Sequence, residues 1–451
     1  MTQLPPGPKG APLVGTLFAL RDPIAFLTDL GCNYGDVSHT RIGRTHVYML
    51  NHPDLIEQVL VGRYRDFVKD WGTQQLVPLV GRGLLTSEGE HWKRQRRLAA
   101  PPLSATHIAA YATTMVDCTE REVASWRDGK RDIHTDMMRL TLEIVGKTLL
   151  GVDTSRDATR ISHIVEVAMA YFDKQFWTWH GALPTWIPTR ERRAFAQAVR
   201  ELDSIIYPII TRCRAQSGDA DFLLARLVHA RDEDGAAMSD ENLRDEAVTM
   251  LLAGHETTAL ALSYAVHLLG KHPAAMERAR AEVDAQLGTR TATLEDLRQL
   301  PFVDAVLRET LRLYPPAYSI GREPLCDLEL GGHTIPKGVQ LSMSPYIVQR
   351  DPRFYSQPDA FMPERWLAPE ADALPRFAYF PFGGGPRVCI GNRFAMMEAV
   401  LVLATMLQHV ELANEPGYTL KLAPSVTLRP AGAVPVTTRQ RASASAAASA
   451  S

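Results

Sequence analysis

The sequence predicts a mainly α-helical protein with small β-sheets, folded as one domain over residues 1–441. Three observations carry this. From about residue 104 to 285 the apolar pattern is helical with few strand signals. Within it, Ser239-Asp240-Glu241 opens a helix of roughly thirty residues that Gly270 and His272-Pro273 should stop. Short β-prone runs punctuated by Gly and Pro occur near 36–50 and 321–345.

The elements follow in order. Residues 1–20, rich in Pro and Gly, should lie extended on the surface. In 36–50, Val37-Ser38-His39-Thr40 and His46-Val47-Tyr48-Met49-Leu50 flank Ile42-Gly43-Arg44-Thr45, which reads as a hairpin. Asn51 and Pro53 then open a helix over 54–61 with an acid in its first turn. Leu328 to Gly338 reads as a hairpin-like insert, and 350–388 is Pro- and aromatic-rich with little periodicity. A last helix covers about 392–407. The tail 442–451 is only Ala and Ser and should be disordered.

Length alone, 451 residues at about 150 per domain, would suggest three domains, but no linker or repeat divides the chain. Hydrophobic residues at 45% and charged residues at 22% exclude a fibrous or disordered protein. The net charge of −2 gives no global drive toward nucleic acid or an anionic membrane, which leaves room only for local patches, and no nucleic-acid partner is expected. The five cysteines are odd in number, widely spaced and free of any C-x-x-C pair, which favours a reducing compartment. No secretory signal is read at the start. The apolar stretch 247–270 carries His255, Glu256, Thr257 and Thr258 at its centre, a composition costly in lipid. It therefore reads as a buried helix, and a cytoplasmic protein without a membrane span is expected.

The strongest chemical signal is Phe382-Gly383-Gly384-Gly385-Pro386-Arg387-Val388-Cys389-Ile390-Gly391. It is a glycine-rich loop that presents one cysteine just before a helix. Glycines let the backbone approach a flat ligand and adopt positive φ. The helix N-terminus and loop N–H groups stabilise a thiolate. A thiolate in an apolar setting is a natural axial ligand for heme iron. Arg387 could pair with a propionate. A buried cysteine acting as a small hydrophobe is the bland alternative.

This loop resembles that of the cytochrome P450 family, Phe-x-x-Gly-x-Arg-x-Cys-x-Gly, at every fixed position. The resemblance spans nearly the whole chain and implies the P450 fold, with heme b (iron protoporphyrin IX) between a long distal helix and the helix after Cys389. It makes Cys389 the iron ligand, with Phe382, Arg387 and Gly391 part of the cofactor loop. Glu309-Thr310-Leu311-Arg312, spaced i,i+3, is weak by itself. With Arg365 in Pro363-Glu364-Arg365-Trp366 it is similar to the family's buried structural triad. Ala253-Gly254-His255-Glu256-Thr257-Thr258 matches the oxygen-activating segment. There the Thr hydroxyl can take over a helix carbonyl and Gly254 lowers helix propensity, locally opening the ladder. By that match Thr257 and Glu256 are catalytic, with Glu256 the more exposed to interior water, and Ala253 faces the heme.

Trp92 and Arg96 match the family's Trp-x-x-x-Arg propionate pair, and Arg322 is a further propionate candidate by position. Lys93, Arg94 and Arg97 read either as a plain solvated face or as a patch that docks an acidic redox partner, and docking is the expectation carried forward. Leu85, Ala253 and Ala317 should border the substrate. The aromatic cluster Tyr171, Phe172, Phe176, Trp177, Trp179 and Trp186 reads either as core packing or, since the family covers its substrate channel in this region, as a lid for an apolar substrate.

The resemblance therefore implies a soluble, bacterial-type heme-thiolate monooxygenase. It would insert one atom of O2 into an apolar small molecule: a fatty acid, terpenoid, steroid, macrolide or drug-like aromatic. Electrons would come from NAD(P)H through a reductase and a ferredoxin or flavodoxin, since no fused reductase is read, and a monomer is expected. A peroxygenase or isomerase on the same fold, or a non-catalytic heme carrier or sensor, is the alternative reading.

Overall fold

The computed structural model describes residues 4–11, 14–152, 158–177, 187–215 and 222–441. The tail 442–451 and the cluster members Trp179 and Trp186 lie outside the described residues, as do the side chains of Phe176 and Trp177.

Helix α1 (Pro23–Asn33) leads into the predicted hairpin, β1 (Val37–Ile42) and β2 (Thr45–Leu50), paired antiparallel with Val37 opposite Leu50. The helix over 54–61 starts one residue earlier, at Pro53. His52 caps it, and its last turn widens into a π turn, Gln58–Gly62. After β3 (Phe67–Val68) come α2 (Gly89–Ala99), α3 (Ala112–Ala124), β4 (Gly129–Asp132) and α4 (Ile133–Val145). The helices α5 (Ala158–Trp177), α6 (Arg190–Ala215) and α7 (Leu223–His229) precede the long α8 (Asp240–Lys271).

Ser239 caps α8 as expected, its hydroxyl accepting the Asn242 N–H at 3.1 Å. The stop differs from expectation: α8 passes through Gly270 and ends at Lys271, because His272 precedes Pro273 and the residue before proline avoids the helical region. Pro273 opens α9 (Pro273–Leu287), and α10 (Pro301–Leu313) follows.

Next come β5 (Ile320–Pro324), β6 (Leu328–Leu330), β7 (His333–Ile335) and β8 (Gln340–Met343). The last long helix is α11 (Asn392–His409). It is followed by β9 (Val410–Asn414), β10 (Leu422–Pro424), β11 (Leu428–Pro430) and β12 (Pro435–Gln440). The largest sheet has the order β1-β2-β8-β5-β3, with β2 and β8 parallel. A second has the order β4-β12-β9, and β6-β7 and β10-β11 are separate hairpins.

The main core runs from Leu76 to Val436 and is built around α8, which packs along α4 and meets α6, α10 and α11. A smaller core lies under the five-stranded sheet. The five cysteines are all free. Among the described residues no helix is long and apolar enough to cross a membrane.

Candidate active site

The glycine loop is folded tightly onto the N-terminal segment. The Cys389 N–H donates to the Phe382 carbonyl at 2.9 Å, closing the loop. Gly385 has φ +65°, and a Cβ there would stand 1.9 Å from the Leu60 carbonyl, so no side chain fits. Gly391 caps α11, and its N–H reaches the Cys389 sulfur. Burial pushes the Cys389 thiol up, while that N–H and the nearby Arg96 pull it down. Cys389 is nevertheless accessible to solvent. A group that is both accessible and surrounded by protein faces an internal cleft.

Cations gather beside this loop. Trp92 is buried, and the Arg387 guanidinium stacks 4.0 Å above its ring. Arg387 donates to the Ser87 carbonyl at 2.7 Å and to the Glu88 carboxylate, so a protein carboxylate already engages it. Glu88 also accepts the Lys69 N–H at 2.7 Å. Lys69 and Arg322 both feel Arg387, Asp70 and Glu88. Burial, then Arg322 and Arg387, bring the Lys69 amine down to about 7. Burial, then Arg387, bring Arg322 to about 10. Asp70 and Glu88 do not offset these cations, so the cluster fits a ligand bearing carboxylates. The two propionates of a heme have that chemistry. Lys69 and Glu88 were not anticipated from sequence; neither sits in a local pattern.

Helix α8 is unbroken through 253–258, contrary to the expected opening of its ladder. Gly254 serves packing instead: a Cβ there would lie 3.2 Å from Val145 of α4. The Thr257 hydroxyl does bond back one turn, donating to the Ala253 carbonyl at 2.5 Å. Ala253 is exposed in the middle of a helix whose flanking turns are buried, and Thr257 is half-buried on the same face. Ala317 is likewise exposed between buried Pro316 and Tyr318, and Leu85 is half-buried. Small accessible side chains between buried neighbours mark room beside α8.

Glu256 departs from expectation. It is 4% exposed, less than Thr257, and its carboxylate is taken up by protein donors. Its Oε1 accepts from the Thr427 hydroxyl at 2.6 Å and from the Arg429 guanidinium. Burial would raise this carboxyl, but Arg429 and Thr427 outweigh it and hold the group below the usual carboxylate range. Sequence could not supply these partners, which lie 171 and 173 residues away.

Glu309, Arg312 and Arg365 come together. Arg312 donates twice to Glu309 at 2.8 Å, and Arg365 Nε donates to Glu309 Oε1 at 3.0 Å. The Met362 N–H and Trp366 Nε1 complete the carboxylate's shell at 3.0 and 2.9 Å. Arg312 also donates to the Gln349, Pro358 and Ala360 carbonyls. Such a buried pair is tolerable only with this density of hydrogen bonds.

The basic run on α2 does not form an open cationic patch. Arg94 is tied to Asp232 at 2.6 Å, Arg97 to Glu233 at 2.8 Å and Lys93 to Glu90 at 2.5 Å. Only Lys93 and Arg97 keep much surface, at 41% and 59% of their side chains. They border a cleft of about 410 Å³ shared with Arg65, Trp92, Arg96 and Pro386. From the aromatic cluster, Phe172 is buried against Phe195, and Tyr171 stacks on Phe195 at 4.3 Å.

A helical chain that turns one thiol from a glycine-rich loop into a cation-flanked cleft has the build of a heme-thiolate protein. The family model for cytochrome P450 matches residues 5–432. Cyclooctatin synthase of Streptomyces melanosporofaciens is 36% identical over 429 residues, covering 93% of this chain and 92% of that protein. Cyclooctat-9-en-7-ol 5-monooxygenase of the same organism is 35% identical over 419 residues, covering 92% and 90%. Pentalenene oxygenase of Streptomyces avermitilis is 32% identical over 415 residues, covering 91% of each. The retinoic acid-bound cyanobacterial CYP120A1 structure aligns with a TM-score of 0.87 at 26% identity, over 98% of this chain and 100% of that one. The chain belongs to the cytochrome P450 family. It is an oxidoreductase, a heme-thiolate monooxygenase with the P450 fold.

Proposed function

We propose that this protein oxygenates a polycyclic terpenoid with Cys389 as the thiolate ligand of a heme b. The observation that carries the heme assignment is the Cys389 thiol, accessible inside the protein and held between the Gly391 N–H and Arg96. Lys69, Arg96, Arg322 and Arg387 would hold the propionates, with Trp92 packed under Arg387. Phe382 and Gly391 shape the loop. The names of three relatives, each tied to a terpenoid, support the substrate class. Ala253 and Ala317 leave space for a bulky ring system, and Leu85 closes one side.

Bound heme supplies the oxygen chemistry, helped by the electron-donating thiolate. The chain's own part is placement and proton control. Thr257 Oγ1 donates a hydrogen bond to the Ala253 carbonyl, so its lone pairs stay free to accept from a water and orient it. Glu256, fixed by Arg429 and Thr427, keeps a negative charge behind that hydroxyl. The Glu309–Arg312–Arg365 triad is structural, locking the segment before the cysteine loop to α10. Electrons come from NAD(P)H through a reductase and a ferredoxin or flavodoxin, with Lys93 and Arg97 at the docking face. The protein acts as a cytoplasmic monomer folded as one domain over 1–441.

The ferrous–CO complex should show the red-shifted band of thiolate-bound heme, and Cys389→Ser should lose it. Retention of the band overturns the ligand assignment. Screening cyclic diterpene and sesquiterpene hydrocarbons and alcohols for spectral shifts and NADPH-dependent product tests the substrate class. Thr257→Ala should keep substrate affinity and raise the share of NADPH electrons lost to hydrogen peroxide.

A further inference from the structure

The turn 425–427 between β10 and β11 is held on three sides. On one, the Ser425 hydroxyl donates to Asp173 of α5. On the second, the Ser425 carbonyl accepts from the Tyr318 hydroxyl at 2.9 Å, and the Leu428 N–H donates to the Pro316 carbonyl at 2.9 Å, on either side of Ala317. On the third, Thr427 and Arg429 grip the Glu256 carboxylate, and the Tyr264 hydroxyl donates to the Leu428 carbonyl at 2.7 Å. Inside the turn the Ser425 N–H donates to the Thr427 carbonyl at 2.9 Å. Ser425 and Thr427 are each 8% exposed. Three residues braced in this way move as one piece.

The geometry points to a strap: the 425–427 turn carries the position of α5 to the Glu256 carboxylate, with Asp173 as the latch. The strap rests on the reading of Glu256 given above. Asp173 is a positioning residue, since it acts through Ser425 and Thr427. With the latch closed, Thr427 and Arg429 stay seated on Glu256. With it released, the turn keeps only its bonds to Tyr318, Pro316 and Tyr264, and Thr427 and Arg429 sit less firmly on the buried carboxyl. Other groups near Glu256 do not replace them. His255 beside it on α8 and His134 on α4 are both lowered chiefly by burial, His255 to about 4.

The test uses the holoenzyme as its ferrous–CO complex. The C–O stretching frequency, which senses charge near the iron, is followed against pH. Glu256→Gln identifies the Glu256 contribution by abolishing that titration. Asp173→Ala and Ser425→Ala should each move its midpoint upward by about one pH unit, tenfold in proton affinity. Asp173→Asn, which keeps an acceptor oxygen, should titrate with the parent. The Asp173→Ala/Ser425→Ala double variant should move no further than either single variant, because both break one contact. Unmoved midpoints in both single variants, or additive shifts in the double, overturn the strap. A titration that survives Glu256→Gln overturns the Glu256 reading beneath it, and the two failures are thereby told apart.

Discussion

Replacing Arg429 with Met removes the cation from a carboxylate that is 4% exposed and leaves only the Thr427 hydroxyl on Glu256 Oε1. In the parent the carboxyl lies below its ordinary value of 4.5, so its ionisation stabilises the fold above that pH. That contribution is lost as pH falls through the depressed value. In the variant, burial acts without a counter-charge, the carboxyl rises above 4.5, and the sign reverses. Glu256 then opposes folding above 4.5, and the penalty is relieved as pH falls. Breaking a buried ion pair from one side costs about 3–5 kcal/mol if the orphan stays charged. Proton uptake sets a ceiling on this. Each pH unit above 4.5 costs about 1.4 kcal/mol, which makes the ceiling about 3.4 kcal/mol at pH 7. Urea unfolding of the holoenzyme between about pH 5.5 and 7 should therefore show variant and parent converging as pH falls. The double variant Arg429→Met/Glu256→Gln supplies the baseline and should lose the slope. Parallel stability curves for Arg429→Met and its parent would refute the assignment of Glu256 as a buried carboxylate held by Arg429.

Glu309→Ala leaves Arg312, fully buried, without its carboxylate and should cost about 3–5 kcal/mol by thermal or urea unfolding. Arg365→Ala, at a partly exposed edge where Arg312 remains on Glu309, should cost about 1.5–3 kcal/mol; the reverse order would refute the placement. Lys69→Met removes one cation from the excess beside the loop, so heme should transfer faster from the variant to apomyoglobin while the thiolate band is kept. Ala317→Phe should redirect the site of oxidation on a bound terpenoid without shifting the unfolding midpoint by more than a surface change would. Lys93→Glu with Arg97→Glu should raise the apparent KM for a ferredoxin, and the parent's reduction rate should fall as salt rises.

What sequence made legible is local. The cysteine loop is ten consecutive residues, and its resemblance to the family's loop can be read without any distant partner. The hairpin at 37–50 carries its own alternation and turn, and α8 carries its own cap. What stayed hidden depends on residues far apart. Arg94 looked like a surface charge because Asp232 lies 138 residues away. Glu256 looked like a free relay for the same reason, and nothing around Lys69 announces that Arg322 and Arg387 will crowd it. The strand β4, Gly129-Lys130-Arg131-Asp132, has no β-branched or aromatic residue to mark it and is a strand because β12 pairs with it. Gly270 signalled a helix end, but a proline two residues beyond the last helical turn decided the matter.

The position of β12 constrains how this protein is made. It is the middle strand of its sheet, hydrogen-bonded to β4 on one side and β9 on the other. The Asp132 carboxylate that caps α4 also accepts the Val434 N–H at 2.8 Å, 302 residues later. During synthesis β4 and β9 emerge with no strand between them, and both keep an open edge until residues 435–440 leave the ribosome. Pairing across such a sequence distance is slow to form. This corner is therefore completed only after translation has passed residue 440, and until then its two waiting edges are the exposed ones most open to wrong partners.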